Sequence, residues 1–331
     1  MMEVQEGAEL CFPQLLNTSC RRSTSSGSEV VFRIILLSSF SLLTVALNLI
    51  VIISVSHFRQ LHTPTNLLLF SLAVSDFLVG LVVMPGAFLQ QTSCWFLGDF
   101  MCFLCHYISF IITSSSVGNM VLVSVDRYVA ICDPLHYTTR ITVRRVKLCV
   151  CLCWFFSALF SIFLTKDELT QPGKYNSCHG ECVFVIDYIS GLVDLVLTFI
   201  VPVTIIIILY MRVFVVAVSQ ARAMRSHIAA VTLQVSLTLT SKKSELKAAR
   251  TLGILVVVFL ICFCPYYCVS LAGGDTSFTN PSAFFLGILY YLNSCLNPVI
   301  YALFYPWFRK AIKLIVTLQI LQPDSCDANI L

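Results

Sequence analysis

Two aspartates lie where a charge is costly. Asp76 and Asp194 fall deep inside long apolar runs of the 331-residue sequence, and an ionised group at mid-membrane costs at least about 2.5–3.5 kcal/mol on insertion scales. Asp76 ends the stretch Ser-Leu-Ala-Val-Ser-Asp. Asn48 occupies the first apolar run, Ser116 the middle of the third, and Asn293 and Asn297 the last. Oxygen ligands converging on one carboxylate suit a small hard cation. The same residues also suit a satisfied interhelical hydrogen-bond knot with no ion. Asp194 is seven residues, or about 10 Å of helix, inside Asp187, with Thr198 one turn deeper on the same face. Phe110, Phe263, Tyr266, Tyr267, Tyr290 and Tyr291 fall where facing helices would meet it. An anion in an aromatic chamber suits an organic ammonium, held by an ion pair and cation–π contact. A purely structural Asp, capped by Thr or Tyr hydroxyls, is the alternative.

Other polar residues carry weaker signals. Ser109, Thr113 and Ser116 recur at helical spacing in the third run, with Ser114, Ser115 and Asn119 beside them. Such a stripe must face the bundle interior or a water-filled cavity, although small hydroxyl residues also let helices pack closely. Asp126-Arg127-Tyr128 ends that run, and Glu245 begins the sixth within a Lys-rich stretch. An Arg–Glu pair across two helix ends is a plausible latch of small energy. Pro202, Pro265 and Pro298 interrupt apolar runs and are candidate hinges. Of the 16 cysteines, most lie inside the runs and behave as small apolar residues. Cys102, Cys178 and Cys182 lie instead at an edge, and Asn17-Thr18-Ser19 is a glycosylation sequon on the same side.

The elements that hold these residues follow from composition. The chain is 58% hydrophobic and only 11% charged, too little polar surface for a soluble protein of this length. A hydrocarbon core about 30 Å thick needs about 20 apolar residues of helix. Seven blocks meet that length: 31–56, 66–90, 99–131, 146–165, 187–217, 248–272 and 281–304. Backbone groups in lipid must bond within their own segment, so each block is expected to be a helix. The fold class is all-α, a seven-transmembrane-helix bundle forming one domain. The expected division is an outer amino tail over 1–30, the bundle over 31–304, and a cytosolic segment over 305–331. Within the last, 305–318 reads as a short amphipathic helix on the inner leaflet, with Phe308, Ile312 and Ile315 down and Arg309, Lys310 and Lys313 up.

Lys and Arg set the orientation. With the amino end outside, only five of the 21 bases are external: Arg21, Arg22, Arg33, Lys166 and Lys174. The same face holds ten acids, which would concentrate cations at its mouth or merely be solvated loop charge. Residues 1–10 are acidic, without a basic n-region, so the first span is expected to act as an uncleaved anchor.

In order along the chain, these residues resemble the rhodopsin-like G-protein-coupled receptors from Asn48 to Phe308. The markers are Asn48, Asp76, Cys102, Asp126-Arg127-Tyr128, Trp154, Pro202, Cys262-Phe263-Cys264-Pro265 and Asn297-Pro298-Val299-Ile300-Tyr301. The last span reads Asn293-Ser294, two residues, Asn297-Pro298, two, Tyr301, three, Tyr305, one, Trp307-Phe308. That pattern resembles the trace amine-associated receptors. The resemblance implies a small volatile or waterborne amine as ligand, and signalling in olfactory neurons through a stimulatory G protein and cyclic AMP. Two positions depart from it. The aspartate that aminergic receptors carry seven residues after the third-span cysteine is here Ser109, and their sixth-span tryptophan is Phe263, which lacks the indole N–H. Asp194, eight residues before Pro202, resembles the fifth-span acid of a subset, abundant in fishes, that has lost the third-span acid.

The resemblance further implies a lid pinned by a Cys102–Cys182 bridge, with Cys178 left to pair with Cys20 or Cys11. It implies an ammonium on Asp194, with Ser109, Phe110, Thr113, Thr198, Phe263, Tyr266, Tyr267 and Tyr291 shaping the pocket. Pro202, Val117 and Phe259 would connect pocket to core. Sodium at Asp76, Ser116, Asn293 and Asn297 would favour the resting state. Activation would part Arg127 from Glu245, turn Tyr210 and Tyr301 inward about Pro298, and open a groove for a Gα subunit, with Leu135 on its rim. No other cofactor and no nucleic-acid partner are implied. Three competing classes are weaker. A transporter would show internal repeats, a lipid or peptide receptor would leave Asp194 structural, and an enzyme would need a nucleophile–base pair or metal cluster.

Overall fold

The computed structural model describes residues 10–21, 27–91, 94–228, 236–272, 281–323, 325–328 and 330, with backbone alone at 27, 90–91, 220–228, 236–252 and 281. Among the described residues, seven helices are long and apolar enough to cross a membrane. They are Ser28–His57, Pro64–Leu89, Gly98–Cys132, Val143–Leu164, Tyr188–Ser219, Gly253–Leu271 and Ser282–Phe304, taken here as the first to seventh helices. They fall on the seven expected blocks to within a few residues. The sixth lies within a longer helix, Ser236–Leu271.

Burial distinguishes the helices from one another. In its most apolar stretch the second helix is 61% buried, whereas the fourth is 17% buried. Phe155, Phe156 and Leu159 of the fourth helix stand 56%, 60% and 47% exposed, a surface that water does not tolerate over such an extent. The bundle is therefore a multi-pass membrane protein whose outward apolar face meets lipid. Inside, the second, third, sixth and seventh helices share one core that includes Val117, Phe259, Phe263 and Tyr301. The polar residues Asn48, Asp76, Asn119 and Asn297 lie at its centre, each at most 1% exposed.

Pro265 and Pro298 lie inside continuous helices. Two π-helical turns also interrupt regular geometry, Val79–Val83 in the second helix and Leu195–Ile200 in the fifth. The latter separates Asp194 from the helix Val201–Ile228 that contains Pro202. A π-turn adds a residue to one turn and re-aims every side chain before it. It therefore decides the direction of Asp194 relative to the rest of the fifth helix, and hydrophobic periodicity gives no sign of it.

At one end, residues 10–21 lie across the loops. Cys20 N donates to the His179 carbonyl at 2.9 Å, and His179 N donates to the Thr18 carbonyl at 2.7 Å. Three disulfides hold this end: Cys102–Cys182, Cys20–Cys178 and Cys11–Cys94. Of the two partners open to Cys178, the structure pairs it with Cys20. Cys11 goes instead to Cys94, which the sequence reading did not single out. Asn17 is exposed beside these bridges. At the opposite end, a helix over Pro306–Val316 buries Trp307, Phe308 and Ala311 and exposes Arg309, Lys310 and Lys313.

Candidate functional site

The third, fifth, sixth and seventh helices surround a cavity of about 1200 Å³ that opens at the disulfide end. Ser109, Phe110 and Thr113 line it from the third helix, and Asp194 and Thr198 from the fifth. Tyr266 and Tyr267 of the sixth helix and Tyr290 and Tyr291 of the seventh complete the walls. Thr198 Oγ donates to the Asp194 carbonyl at 2.7 Å and to Asp194 Oδ1 at 3.2 Å, within its own helix. Among the described residues, no Lys or Arg forms an ion pair with Asp194. The Ser109 hydroxyl donates to the Cys105 carbonyl at 2.6 Å, so it satisfies itself and offers no charge.

Phe263 is not among the lining residues. It lies beneath the cavity floor, 4% exposed, stacked on Phe259 and tilted against Tyr290 with centroids 4.5 Å away in each case. Tyr290 thus separates it from the cavity. His106 and Phe184 also line the cavity, and neither was expected from the sequence. His106 stacks on Phe184 at 4.7 Å, and Phe184 packs against Phe110 at 5.3 Å. Phe184 belongs to a loop whose placement depends on the Cys102–Cys182 bridge two residues away, and loop packing has no periodicity to betray it. Two acids near the mouth are already paired, Glu29 with Arg33 at 2.5 Å and Asp187 with Lys166 at 3.2 Å. The Ser190 hydroxyl and backbone N–H, with the Lys166 ammonium, hold the Asp187 carboxyl down at about 2. Part of the outer acidity is therefore compensated loop charge.

Beneath the cavity, at the centre of the core, Asp76 is enclosed by donors from two other helices. Ser116 reaches Oδ1 at 3.2 Å, Ser294 reaches Oδ1 at 2.8 Å and Asn297 Nδ2 reaches Oδ2 at 2.8 Å. Ser294 takes the place expected of Asn293. It adjoins Asn293 in sequence, and the seventh helix's rotation alone decides which of the two faces Asp76. Asn48 Nδ2 donates to the Ser294 carbonyl at 2.9 Å. The side-chain carbonyl oxygens of Asn48, Asn293 and Asn297 are buried without a hydrogen-bond partner. Of these three, Asn297 reaches Asp76 itself through Nδ2, and its spare oxygen with the Asp76 carboxylate and the Ser116 and Ser294 hydroxyls makes an all-oxygen set that fits a small hard cation such as sodium.

At the end opposite the disulfides, Arg127 pairs with Asp126 at 2.5 Å and also hydrogen-bonds Thr65. Tyr137 OH donates to Asp126 Oδ1 at 2.9 Å, and Thr65 Oγ donates to Oδ2 at 3.0 Å. Neither Thr65 nor Tyr137 was expected in this group, since both come from segments with no sequence link to it. The Glu245 side chain lies outside the described residues. Tyr128 packs beside Ile131 and Val213, and Leu135 projects 88% exposed. Tyr210 places its hydroxyl against the sixth helix where Gly253 lacks a side chain. Tyr301 is wholly buried, its hydroxyl unbonded.

A seven-helix bundle with a cavity at one end, a polar knot in its centre and an Asp–Arg cluster at the other defines a membrane receptor. Residues 47–301 match the family described as 7 transmembrane receptor (rhodopsin family). The chain is 38% identical over 336 residues to Trace amine-associated receptor 13c of Danio rerio, covering 98% of this chain and 96% of that receptor. It is 36% identical to Trace amine-associated receptor 1 of Macaca mulatta, covering 94% and 95%. It is 34% identical to Trace amine-associated receptor 4 of Mus musculus, covering 97% and 95%. The chain belongs to the trace amine-associated receptors of the rhodopsin family, which are G-protein-coupled receptors and not enzymes.

Proposed function

We propose that this receptor is activated by small amines whose ammonium group pairs with Asp194. One observation carries the reading: a carboxylate in an aromatic-walled cavity, with no protein cation on it among the described residues. Asp194 is half-buried and accepts one side-chain hydrogen bond, from Thr198, so a ligand cation in the cavity would supply the charge partner that the protein withholds. The relatives named for trace amines support the same ligand class. Ser109 in place of the usual third-span acid moves the anchor to the fifth helix.

The disulfide end faces outward, an orientation supported by the Lys and Arg asymmetry and by bridges that persist in oxidising compartments. Residues 1–30 form the extracellular tail, glycosylated at Asn17, and 305–331 the cytosolic segment. Ligand preference for the state with the sixth helix swung outward shifts an existing equilibrium. That swing opens the Asp126–Arg127 end to the Gα subunit of a stimulatory G protein, raising cyclic AMP in olfactory neurons. Asp76, Ser116, Ser294 and Asn297 would hold a sodium ion, whose charge would favour the closed knot over the swing. A cyclic AMP reporter screen of primary amines beside their neutral alcohol counterparts tests the reading. Amines should activate and the matching alcohols should not. Equal activation by both would return Asp194 to a structural role and favour a non-amine ligand.

A further inference from the structure

Resting on the amine reading above, we infer that the receptor selects monoamines with an extended apolar tail. The tail lies in a second arm of the cavity, between the first, second and seventh helices, where Gly86 leaves room for it. The cavity that holds Asp194 continues to Val30 and Ile34 of the first helix, Val83, Gly86 and Ala87 of the second and Gly287 of the seventh. None of these side chains is polar. Val83 and Ala87 belong with Tyr291 to one buried apolar cluster, so the arm is backed by packed hydrocarbon. The third helix packs against both the second and the fifth. Packed helices lie about 8–10 Å apart, which separates the arm's helix from that of Asp194 by up to about 16–20 Å.

Volume points the same way. The cavity's 1200 Å³ exceeds the roughly 300–1,000 Å³ that ordinarily encloses a drug-sized ligand. An amine of a few carbons on Asp194 would leave the arm to water, and an apolar tail displaces water from apolar walls favourably. Charge then decides between one ammonium and two. Arg33 lies on the first helix between Val30 and Ile34, lines the cavity, and pairs with Glu29 at 2.5 Å. The lining acids other than Asp194 are Glu181 and Asp187, both in the segment between the fourth and fifth helices. A second ammonium in the arm would therefore meet a guanidinium and no lining carboxylate. Gly86 sets the arm's width. It lies in the helix Met84–Gln91, and a Cβ built on it would meet nothing within 4 Å. Packing does not require glycine there, in contrast to Gly118, where a Cβ would run into Cys153 Sγ. Glycine weakens a helix relative to alanine, and at this position it leaves open space for a ligand group.

The test compares straight-chain primary monoamines of rising length with their α,ω-diamines and their alcohols. Potency is read by cyclic AMP on the full-length receptor, Gly86→Ala and Gly86→Leu at matched surface expression. On the unsubstituted receptor, monoamine potency should rise about three- to fourfold per methylene until the arm is full. Each longer diamine should be about tenfold or more weaker than the monoamine of equal length, because its second charge has no partner in the arm. Gly86→Leu should cost the longest monoamines about tenfold or more and the shortest less than about twofold, since each methylene shut out forfeits its burial. Gly86→Ala should fall between, and it carries the comparison if the leucine variant does not reach the surface. Greatest potency at the shortest amines, diamines as potent as monoamines, or an equal loss at every length in the Gly86 variants would each overturn the inference. The amine reading fails separately, through alcohols as potent as amines at every length. A length dependence removed by Gly86→Leu would in that case still place an apolar tail in the arm.

Discussion

The two aspartates inside the apolar helices, Asp76 buried and Asp194 half-buried, live under opposite conditions. Asp76 accepts from three side chains on the third and seventh helices, and its surroundings hold spare acceptors besides. Asp194 accepts from Thr198 of its own helix and otherwise faces an open cavity. One carboxylate is enclosed by protein and ties helices together. The other accepts from one hydroxyl of its own helix and is left facing the cavity. A buried acid is thus a functional signal when its partners are missing, and a structural signal when they converge.

Several measurements would break or sharpen that contrast. The largest effect is expected at the disulfide end, where Cys102→Ala or Cys182→Ala should abolish surface expression or amine response, because the bridge holds the loop carrying Phe184 over the cavity. Normal signalling by both would detach the cavity from its lid. At the enclosed site, replacing sodium by a bulky organic cation at equal ionic strength should raise amine affinity about fivefold or more. Asp76→Asn should erase that difference, and a sodium effect that survives the substitution would place the ion elsewhere. Thr65→Val and Tyr137→Phe each free one side of Asp126 and should raise ligand-independent cyclic AMP about two- to fivefold. Glu245→Ala should raise it less, since exposed pairs contribute little. Ser109→Ala should change amine potency by less than about threefold, because that hydroxyl is already committed to the Cys105 carbonyl.

The seven helices were legible because lipid imposes a length and an apolar content that few other constraints imitate. The acids were legible for the converse reason, as charges inside apolar runs. What escaped depended on rotation and on loops. Ser294 rather than Asn293 reaches Asp76 because of how the seventh helix turns, and adjacent residues in a helix point about 100° apart. Phe263 falls below the cavity because Tyr290 stands between, a relation that spacing along the sixth helix alone does not contain. The π-turn at Leu195–Ile200 left no mark in a run that is apolar except for Thr198. Cys94 and the Cys11 bridge depend on where the tail crosses the loops, and pairings of six cysteines cannot be chosen from spacing.

The most direct test is amine potency in Asp194→Asn, measured at matched surface expression. Asparagine keeps nearly the same shape and removes the charge, so the ligand's ammonium would lie in the cavity uncompensated. Breaking a buried pair in this way costs about 3–5 kcal/mol, which is roughly a hundredfold or greater loss of potency. Folding should survive, because a neutral side chain is easier to bury than an ion. Combining Asp194→Asn with Ser109→Asp moves the anion to the opposite wall and should favour amines that fit in the reversed orientation. An Asp194→Asn receptor that reaches the surface and answers its amine with unaltered potency would contradict the account and leave Asp194 a structural residue.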